Sequence, residues 1–299
     1  MASTEPGQYQ RAEAFQRLHQ AGEPFVIPNP WDAGTARLLT QIGFSALATT
    51  SAGLAFSLGR KDGANLVARE ETLVNARAIV GATHLPVSAD LESGFAIGPA
   101  GVAETIRLAA KTGLVGGSIE DATGQPGAPI YPIGVAVERI SAAVAAARAL
   151  PFPFTLTARA ENFLYGRPDL DDTIRRLQAY EAAGADVLFA PGLPDAAAIR
   201  TVCSAVTRPV NVIAGDGGPQ LSVTQLAECG VRRISLGSAL SRVALAAVLR
   251  AATDLHGHGT FDFATEAVSY ADTNEMMASG GSGSRMSYPA AMMSGWLQN

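Results

Sequence analysis

The sequence predicts an α/β protein of the (β/α)8 TIM-type barrel class. Short apolar runs alternate with longer amphipathic segments from residue 25 onward, as expected for strands that alternate with helices. Hydrophobic residues make up 47% of the 299 residues and charged residues only 16%, which suits a parallel sheet buried on both faces. The length is ordinary for one such barrel. An open doubly wound sheet is the alternative, because it shows the same alternation.

The elements follow one another in a regular order. Ala12–Gln20 predicts an extra N-terminal helix before the first strand. The predicted strands are Phe25–Pro28, Ala46–Thr49, Pro86–Ala89, Gly117–Ile119, Phe154–Thr157, Asp186–Phe189, Val210–Ile213 and Arg233–Leu236. Helices are expected between them, among them Glu104–Thr112, Val135–Ala149, Leu170–Ala183, Asp195–Ala205 and Ser238–Ala252. Glycine recurs in the phrases IGF, TGLVGG, AGAD and CGVRR, where each is expected to end a helix in the left-handed conformation.

The last residues differ in composition from the rest of the chain. Residues 278–284 read ASGGSGS, which is typical of a flexible Gly/Ser linker, and residues 286–299 carry no charged side chain. We therefore assign residues 1–277 to the barrel. Residues 278–299 are interpreted as a linker and tail, either for interaction or added by cloning.

Composition excludes several classes of function. A net charge of -5 provides no basic patch, so we expect neither a nucleic-acid nor a membrane partner. We expect no signal peptide, since the first residues lack a positive region followed by an apolar one, and no transmembrane helix. Two cysteines make neither a zinc cluster nor a disulfide scaffold, which indicates the reducing cytoplasm. The four histidines fall outside the predicted strand ends, which argues against a histidine-based site.

Acidic residues follow two neighbouring predicted strands. Asp90 and Glu92 come after the third strand and Glu120 after the fourth, while Asp62 lies in an earlier loop. Residues two apart in an extended chain project to the same side, and barrel active sites lie at the carboxyl ends of the strands. Carboxylates brought together repel one another unless a cation is bound, and Mg²⁺ prefers such oxygen ligands. We expect Mg²⁺ there, with Mn²⁺ as a second candidate; helix caps and surface ion pairs are the alternative.

Other strand ends carry groups suited to binding an organic acid. Arg159 follows the fifth strand, where its guanidinium could hold a carboxylate or pair with Glu161. The segment Ser51-Ala52-Gly53 allows a ligand to approach the backbone, and it also fits an ordinary turn. Asn211 could donate to the same ligand or only to the backbone. Trp31 fits a wall of the site as well as it fits packing at the rim.

With these residues the chain resembles the isocitrate lyase/phosphoenolpyruvate mutase superfamily over roughly Pro24 to Leu255, in a decarboxylase-like or uncharacterised subgroup. The segments that carry the resemblance are NPWDAGTARLL, TTSAGLAFSLGRKDG, SADLESGFA, GGSIED, TARAENF and PVNVIAG. The resemblance implies a Mg²⁺-dependent enzyme that acts on a small 2-oxo or 2-hydroxy acid through a pyruvate enolate. It implies Ser51, Ala52 and Gly53 around the substrate carboxylate, Arg159 and Asn211 on the substrate, and Asp62, Asp90, Glu92 and Glu120 around the metal, some through water. Arg159, Asp62 and Glu120 are the candidate catalytic residues.

The chain also departs from the family pattern. Lyases of the family carry a Lys/Arg-Cys-Gly-His segment after the fourth strand, whereas residues 122–133 here contain no Cys, Lys or His. The asparagine-bearing loop of the phosphonate-processing members is absent as well. After the sixth strand, the stretch Phe189–Gly192 replaces a lyase glutamate. We therefore expect C–C bond cleavage of the decarboxylase type, for example on oxaloacetate, with water or Tyr131 returning the proton.

Three other functions remain open on the sequence. The first is a phosphonopyruvate- or phosphoenolpyruvate-processing mutase or hydrolase. The second is a phosphosugar-binding barrel enzyme, because residues 214–219 and 236–238 resemble a backbone phosphate cup. The third is a barrel retained for binding without catalysis.

The family resemblance also bears on assembly. It implies a homodimer or homotetramer with an exchanged C-terminal helix, and the apolar Leu240–Leu249 region followed by Phe261–Tyr270 permits this.

Overall fold

Eight parallel strands alternate with helices in the computed structural model, which describes residues 6–215 and 218–278. The strands are β1 (Phe25–Ile27), β2 (Leu47–Ala48), β3 (Val87–Asp90), β4 (Gly116–Glu120), β5 (Thr155–Arg159), β6 (Val187–Phe189), β7 (Val210–Ile213) and β8 (Arg233–Ser235). The helices are α1 (Gln8–Gln20), α2 (Ala33–Ile42), α3 (Ser51–Ser57), α4 (Arg69–Val80), α5 (Pro99–Ala110), α6 (Ile133–Arg148), α7 (Leu170–Ala182), α8 (Ala196–Ala205), α9 (Val223–Glu228), α10 (Ala239–His258) and α11 (Tyr270–Ala278). Each strand overlaps its predicted range, so the (β/α)8 prediction is confirmed.

The strands form one sheet in the order β1-β8-β7-β6-β5-β4-β3-β2. The two ends of this sheet meet, since the backbone N–H of Ala48 donates to the carbonyl of Pro28 at 3.1 Å. Asn29 reinforces the junction: its amide donates to the Thr49 carbonyl and accepts from the backbone N–H of Leu236. The sheet therefore closes into a barrel, which excludes the open doubly wound alternative.

The main hydrophobic core lies between the barrel strands and the surrounding helices. Four glycines end helices or turns where the sequence predicted them: Gly43, Gly113, Gly184 and Gly230 have φ angles between 93° and 100°. Backbone in this left-handed region favours glycine, because any side chain would clash there.

Helix α1 covers the N-terminal end of the barrel. A separate core cluster joins Ala12 and Phe15 of α1 to Ile27 of β1 and to Ala46 and Val115, which immediately precede β2 and β4. This is the extra N-terminal helix expected from the sequence, although it begins four residues earlier, at Gln8.

Helix α10 follows the last strand, β8, and the chain then continues to α11. The Gln41 side chain of α2 donates to the Met276 carbonyl at 2.7 Å, so α11 packs on α2 of the same chain. Helix α11 ends at Ala278, one residue beyond the predicted barrel boundary. The rest of the predicted linker and tail, residues 279–299, lies outside the described residues. None of the described helices combines the length and hydrophobicity that a membrane span requires.

Candidate active site

Arg159 stands at the centre of a group of carboxylates at the carboxyl ends of the strands. Asp90, Glu120 and Arg159 are the last residues of β3, β4 and β5, and Glu120 pairs with Arg159 in the strand register. One terminal guanidinium nitrogen of Arg159 lies 3.3 Å from Asp90 Oδ1 and 3.2 Å from Glu120 Oε2, and Arg159 Nε lies 2.9 Å from Glu161 Oε1. Adjacent parallel strands thus deliver two carboxylates to one guanidinium, and the loop after β5 adds the third.

Glu92 reaches the same group through a turn, not through the strand alternation that the sequence suggested. Strand β3 ends at Asp90, and Glu92 has a φ of 48°. Its backbone N–H donates to Asp90 Oδ1 at 3.2 Å, while its carbonyl accepts from the N–H of Glu120 at 3.0 Å. The predicted proximity is therefore correct and the predicted reason is wrong. A left-handed glutamate is costly, and such conformations cluster at functional sites.

Glu92, Glu120, Arg159 and Glu161 line one cavity of about 260 Å³, which we call the acidic cavity. Its lining residues are Ser51, Asp62, Gly63, Glu92, Glu120, Arg159, Glu161, Leu164 and Tyr165. Asp62 enters from the loop after α3, as expected. The volume suits a small organic acid together with a few water molecules.

Negative charge is in excess in the acidic cavity, since four carboxylates face the single guanidinium of Arg159. Burial is the main cause that raises the pKa of Glu92 to about 8, and the negative charges of Asp90 and Asp62 add to it. Burial raises the pKa of Glu161 to about 7 even though Arg159 opposes the shift. The pKa values of Asp62 and Glu120 are also raised, mainly by burial. A bound cation would relieve this crowding.

The donors present fit a hard divalent cation. Every candidate ligand is an oxygen, and the Glu92 carboxylate accepts no hydrogen bond from residues 6–215 or 218–278. Within those same ranges, no three acidic, histidine or cysteine side chains are arranged closely enough to enclose a metal directly. Mg²⁺ commonly takes only one or two protein carboxylates and keeps several waters, so the arrangement fits partly water-mediated binding.

A second cavity of about 150 Å³, the axial cavity, continues from the first into the barrel. Ser51, Asp62 and Arg159 line both cavities, while Ala52 and Asn211 line the axial one. The Ser51 hydroxyl donates to Asp90 Oδ2 at 2.9 Å. The predicted substrate groups Ser51, Ala52, Arg159 and Asn211 are thus brought together.

Gly53 and Trp31 lie just behind this surface. The Gly53 N–H donates to the Thr50 hydroxyl at 3.1 Å, which caps α3 and leaves that N–H unavailable to a ligand. A Cβ at Gly53 would lie 2.6 Å from Thr50 Cγ2 and 3.0 Å from the Trp31 Cβ. Neither Gly53 nor Trp31 lines the two cavities, so both fit packing behind the site.

Two further lining residues escaped the sequence reasoning as functional groups. The sequence indicates Glu161 only as an ion-pair partner of Arg159, and it carries no signal that points to Tyr165. The tyrosine proposed to return the proton, Tyr131, instead stacks against Arg139 and lines a neighbouring groove. The TARAENF segment marks the end of β5 as part of the site. The position of Tyr165 could not be predicted from residue spacing, because a turn separates it from the strand.

The chain also resembles known proteins. A family model described as phosphoenolpyruvate phosphomutase matches residues 15–256. Among solved structures, a Burkholderia cenocepacia J2315 protein named only by class, as a lyase/mutase, is 58% identical with a TM-score of 0.89, over 92% of this chain and 98% of that one. Phosphonopyruvate hydrolase, solved with oxalate and Mg²⁺, has the same fold at 23% identity and a TM-score of 0.80, over 89% of this chain and 94% of its own.

Curated relatives catalyse different reactions. The 2-methylisocitrate lyase of Escherichia coli K12 is 31% identical over 66% of this chain and 68% of its own. The oxaloacetate decarboxylase of Marinomonas sp. MWYL1 is 26% identical over 90% of this chain and 94% of its own. Together with the matching family model, these similarities establish that the chain belongs to the phosphoenolpyruvate phosphomutase family, within the isocitrate lyase/phosphoenolpyruvate mutase superfamily.

Proposed function

We propose that the protein is a Mg²⁺-dependent lyase that cleaves a C–C bond of a small 2-oxo or 2-hydroxy acid through a pyruvate enolate. Decarboxylation of a 2-oxo diacid such as oxaloacetate is the favoured reaction. The observation that carries this proposal is the convergence of four carboxylates, from the end of β4 and from the loops after α3, β3 and β5, on one small cavity with a single guanidinium. Asp90, at the end of β3, contacts the same guanidinium from the axial cavity. Negative charge crowded in this way is expected to need a cation.

The residues of the site have different proposed roles, according to their position: the carboxylates hold the cation, and the groups opposite them hold the substrate. Asp90, with Asp62, Glu92 and Glu120 around it, would hold Mg²⁺ directly or through water. When bound there, Mg²⁺ would stabilise the negative charge that develops on the substrate oxygens as the bond to carbon breaks. Mn²⁺, which accepts similar oxygen ligands, is the second candidate.

The substrate is held by the groups opposite the carboxylates. Arg159, fixed by three acidic partners, presents its guanidinium at the junction of the two cavities. The Ser51 hydroxyl and N–H donate to Asp90, so Ala52 would offer its backbone N–H to a substrate carboxylate. Asn211 has one amide hydrogen left after donating to Ser235. Fixed polar groups of this kind stabilise developing charge without reorganising during the reaction.

The loop after β4 favours decarboxylation over the cleavage of larger hydroxy acids. Residues 122–133 contain no cysteine, lysine or histidine, and Ala122 and Ile130 form an antiparallel bridge that closes the segment into a hairpin. Loss of carbon dioxide leaves only an enolate to protonate, so it demands less from a loop acid. Similarity to an oxaloacetate decarboxylase over 94% of that protein supports the choice.

The other functions are weaker. The phosphate-cup hypothesis depends on residues 214–219, of which 216 and 217 lie outside the described residues, and family membership favours acid substrates. A phosphonopyruvate-processing reaction remains the alternative, since a phosphonopyruvate hydrolase shares the fold. We further propose a homodimer or homotetramer in the cytoplasm.

The test is turnover of oxaloacetate, 2-methylisocitrate and phosphonopyruvate, with Mg²⁺ and with EDTA, against the metal-catalysed background. We expect Mg²⁺-dependent pyruvate formation from oxaloacetate. Asp90→Asn should lower kcat/KM about 10²–10³-fold at unchanged melting temperature, while the exposed Asp171→Asn should have no effect. Turnover of phosphonopyruvate alone would favour the alternative, and full activity of Asp90→Asn would refute the metal mechanism.

A further inference from the structure

Tyr165 lies at the edge of the acidic cavity on the loop after β5. A turn brings it there: its N–H donates to the Glu161 carbonyl at 3.2 Å, and the N–H of Arg167 donates to the Asn162 carbonyl at 2.9 Å. The hydroxyl would lie 4.0 Å from a Cβ placed on Gly63, next to Asp62. The phenol therefore bridges the space between the loop of Asp62 and the loop after β5.

The Tyr165 hydroxyl is an unused donor in this cavity. Only two lining residues carry a neutral hydroxyl, Ser51 and Tyr165, and the Ser51 hydroxyl already donates to Asp90. The Tyr165 hydroxyl forms no hydrogen bond with any residue of the described ranges. Burial first, and then Glu120 and Glu161, raises the pKa of Tyr165 to about 12, which keeps its proton in place at neutral pH.

The carboxyl groups of the cavity have other partners. Arg159 holds Glu120 and Glu161 by ion pairs, and Asp62 and Glu92 face the position assigned to the cation. With a cation bound, Asp62 and Glu92 would be committed to it as carboxylates. Tyr165 is then the lining hydroxyl that has a proton to transfer and no partner among the described residues.

We propose that Tyr165 is a catalytic residue that donates the proton by which the enolate becomes the final product. This inference rests on the proposed function. The electron pair of the enolate C=C bond forms the new C–H bond, the O–H bond of Tyr165 breaks, and the enolate oxygen becomes the ketone. The tyrosinate then regains a proton from solvent, which completes the balance for a substrate that has lost carbon dioxide.

The experiment compares wild type, Tyr165→Phe and the exposed control Tyr9→Phe, all with Mg²⁺. Three quantities are measured: calorimetric oxalate affinity, kcat and KM for oxaloacetate, and deuterium exchange into the pyruvate methyl group in D2O by NMR. We expect Tyr165→Phe to lose about 10²–10⁴-fold in exchange and to lose kcat, because a positioned acid typically contributes that much. Oxalate affinity and KM should stay within about twofold of wild type, since oxalate has no carbon to protonate.

Each contrary outcome has its own meaning. If Tyr165→Phe exchanges deuterium and decarboxylates like Tyr9→Phe, the role of Tyr165 is refuted while the proposed function stands. If oxalate affinity and melting temperature fall together with kcat, Tyr165 is structural and the inference is again overturned. If the wild type neither exchanges pyruvate protons nor cleaves any acid tested, the proposed function fails and this inference with it.

Discussion

Arg233 is a buried guanidinium inside the barrel, below the candidate site. Its Nε donates to Asn211 Oδ1 at 2.8 Å, and one terminal nitrogen donates to the Thr157 hydroxyl at 3.0 Å. The other terminal nitrogen lies 3.5 Å from His19 Nε2 on α1. Burial, followed by the charge of Arg159, lowers the pKa of Arg233 to about 9. Because a guanidinium only donates, it fixes the Asn211 amide with its oxygen downward and its nitrogen toward Ser235.

Next to this charge, His19 is held neutral. Burial is the main cause and Arg233 the second, and together they lower the pKa of His19 to about 3. The Nδ1 atom lies 2.8 Å from the Phe15 carbonyl, to which it donates when Nδ1 is the protonated nitrogen, leaving Nε2 to face Arg233. The aromatic rings of Phe15 and Phe25 cover the remaining sides.

This burial makes the stability of the protein sensitive to acid. The folded-state pKa of His19 is depressed, so its contribution is present above the unfolded value of 6.5 and is lost as pH falls toward 3. Between pH 7 and pH 5, His19 binds a proton in the unfolded chain but not in the folded chain. This difference lowers the free energy of unfolding by about 2 kcal/mol. His19→Gln should lose less of its unfolding free energy over this interval than wild type, as measured by urea denaturation at both pH values. The exposed His256→Gln is the control, and a His19→Gln protein with the pH dependence of wild type would contradict the argument.

At the scale of elements, the hairpin after β4 is held from beneath by a buried network. Asp121 accepts from the Tyr180 hydroxyl at 2.6 Å, from Arg176 at 2.9 Å and from the Glu161 N–H at 2.9 Å. Arg176 also donates to the Tyr131 carbonyl at the end of the hairpin. Asp121 therefore has a structural role, although it is adjacent in sequence to the candidate catalytic residue Glu120.

Removing one bond of this network should loosen the hairpin. Tyr180→Phe deletes only the hydroxyl and should lower the unfolding free energy by about 1–2 kcal/mol, since it removes a donor from a buried carboxylate. Amide hydrogen exchange should accelerate in residues 122–131 before other segments. Tyr9→Phe serves as the comparison, and uniform exchange across the chain would show that the network does not act on the hairpin.

The strands and helix ends were predictable because their signals are local. Parallel strands buried on both faces are continuous apolar runs, and glycine in the left-handed conformation marks helix exits such as Gly43 and Gly184. For helix α11, the family resemblance implies only a C-terminal helix, without bounds. Its packing on α2 was not predictable, because it depends on contacts between residues such as Gln41 and Met276 that lie far apart in sequence.

In the candidate site, only the residues whose place follows from their position at a strand end were predictable. Asp90, Glu120 and Arg159 end adjacent strands, so parallel register brings them together. Glu92 turns inward through a left-handed residue, and Tyr165 arrives through a turn in the next loop. Periodicity carries no information about turns of this kind. The sequence also did not predict that the N–H of Gly53 is unavailable to a ligand, because it donates to the Thr50 hydroxyl that caps α3.

At the scale of the whole molecule, the apolar surface is concentrated on the last barrel helix. Val243, Leu245, Val248 and Leu249 of α10 are between 45% and 67% exposed, and Ser241 is the only buried residue of this helix. Phe261 and Tyr270, which follow α10 in the chain, are 68% and 87% exposed. Apolar residues exposed in such number on one helix are typical of protein interfaces.

A second copy of the chain is the expected partner for this surface, as the family resemblance implied. The double variant Val248→Lys/Leu249→Lys places two charges on it, which would have to be buried in any homodimer that uses α10. We expect wild type to elute as a dimer or tetramer in size-exclusion chromatography with light scattering, and the variant to shift toward the monomer with its circular dichroism unchanged. Val74→Lys is a matched control, because Val74 is 66% exposed on α4 and Val248 is 64% exposed. A wild type that is monomeric at every concentration, or a double variant that stays oligomeric, would remove α10 from the interface.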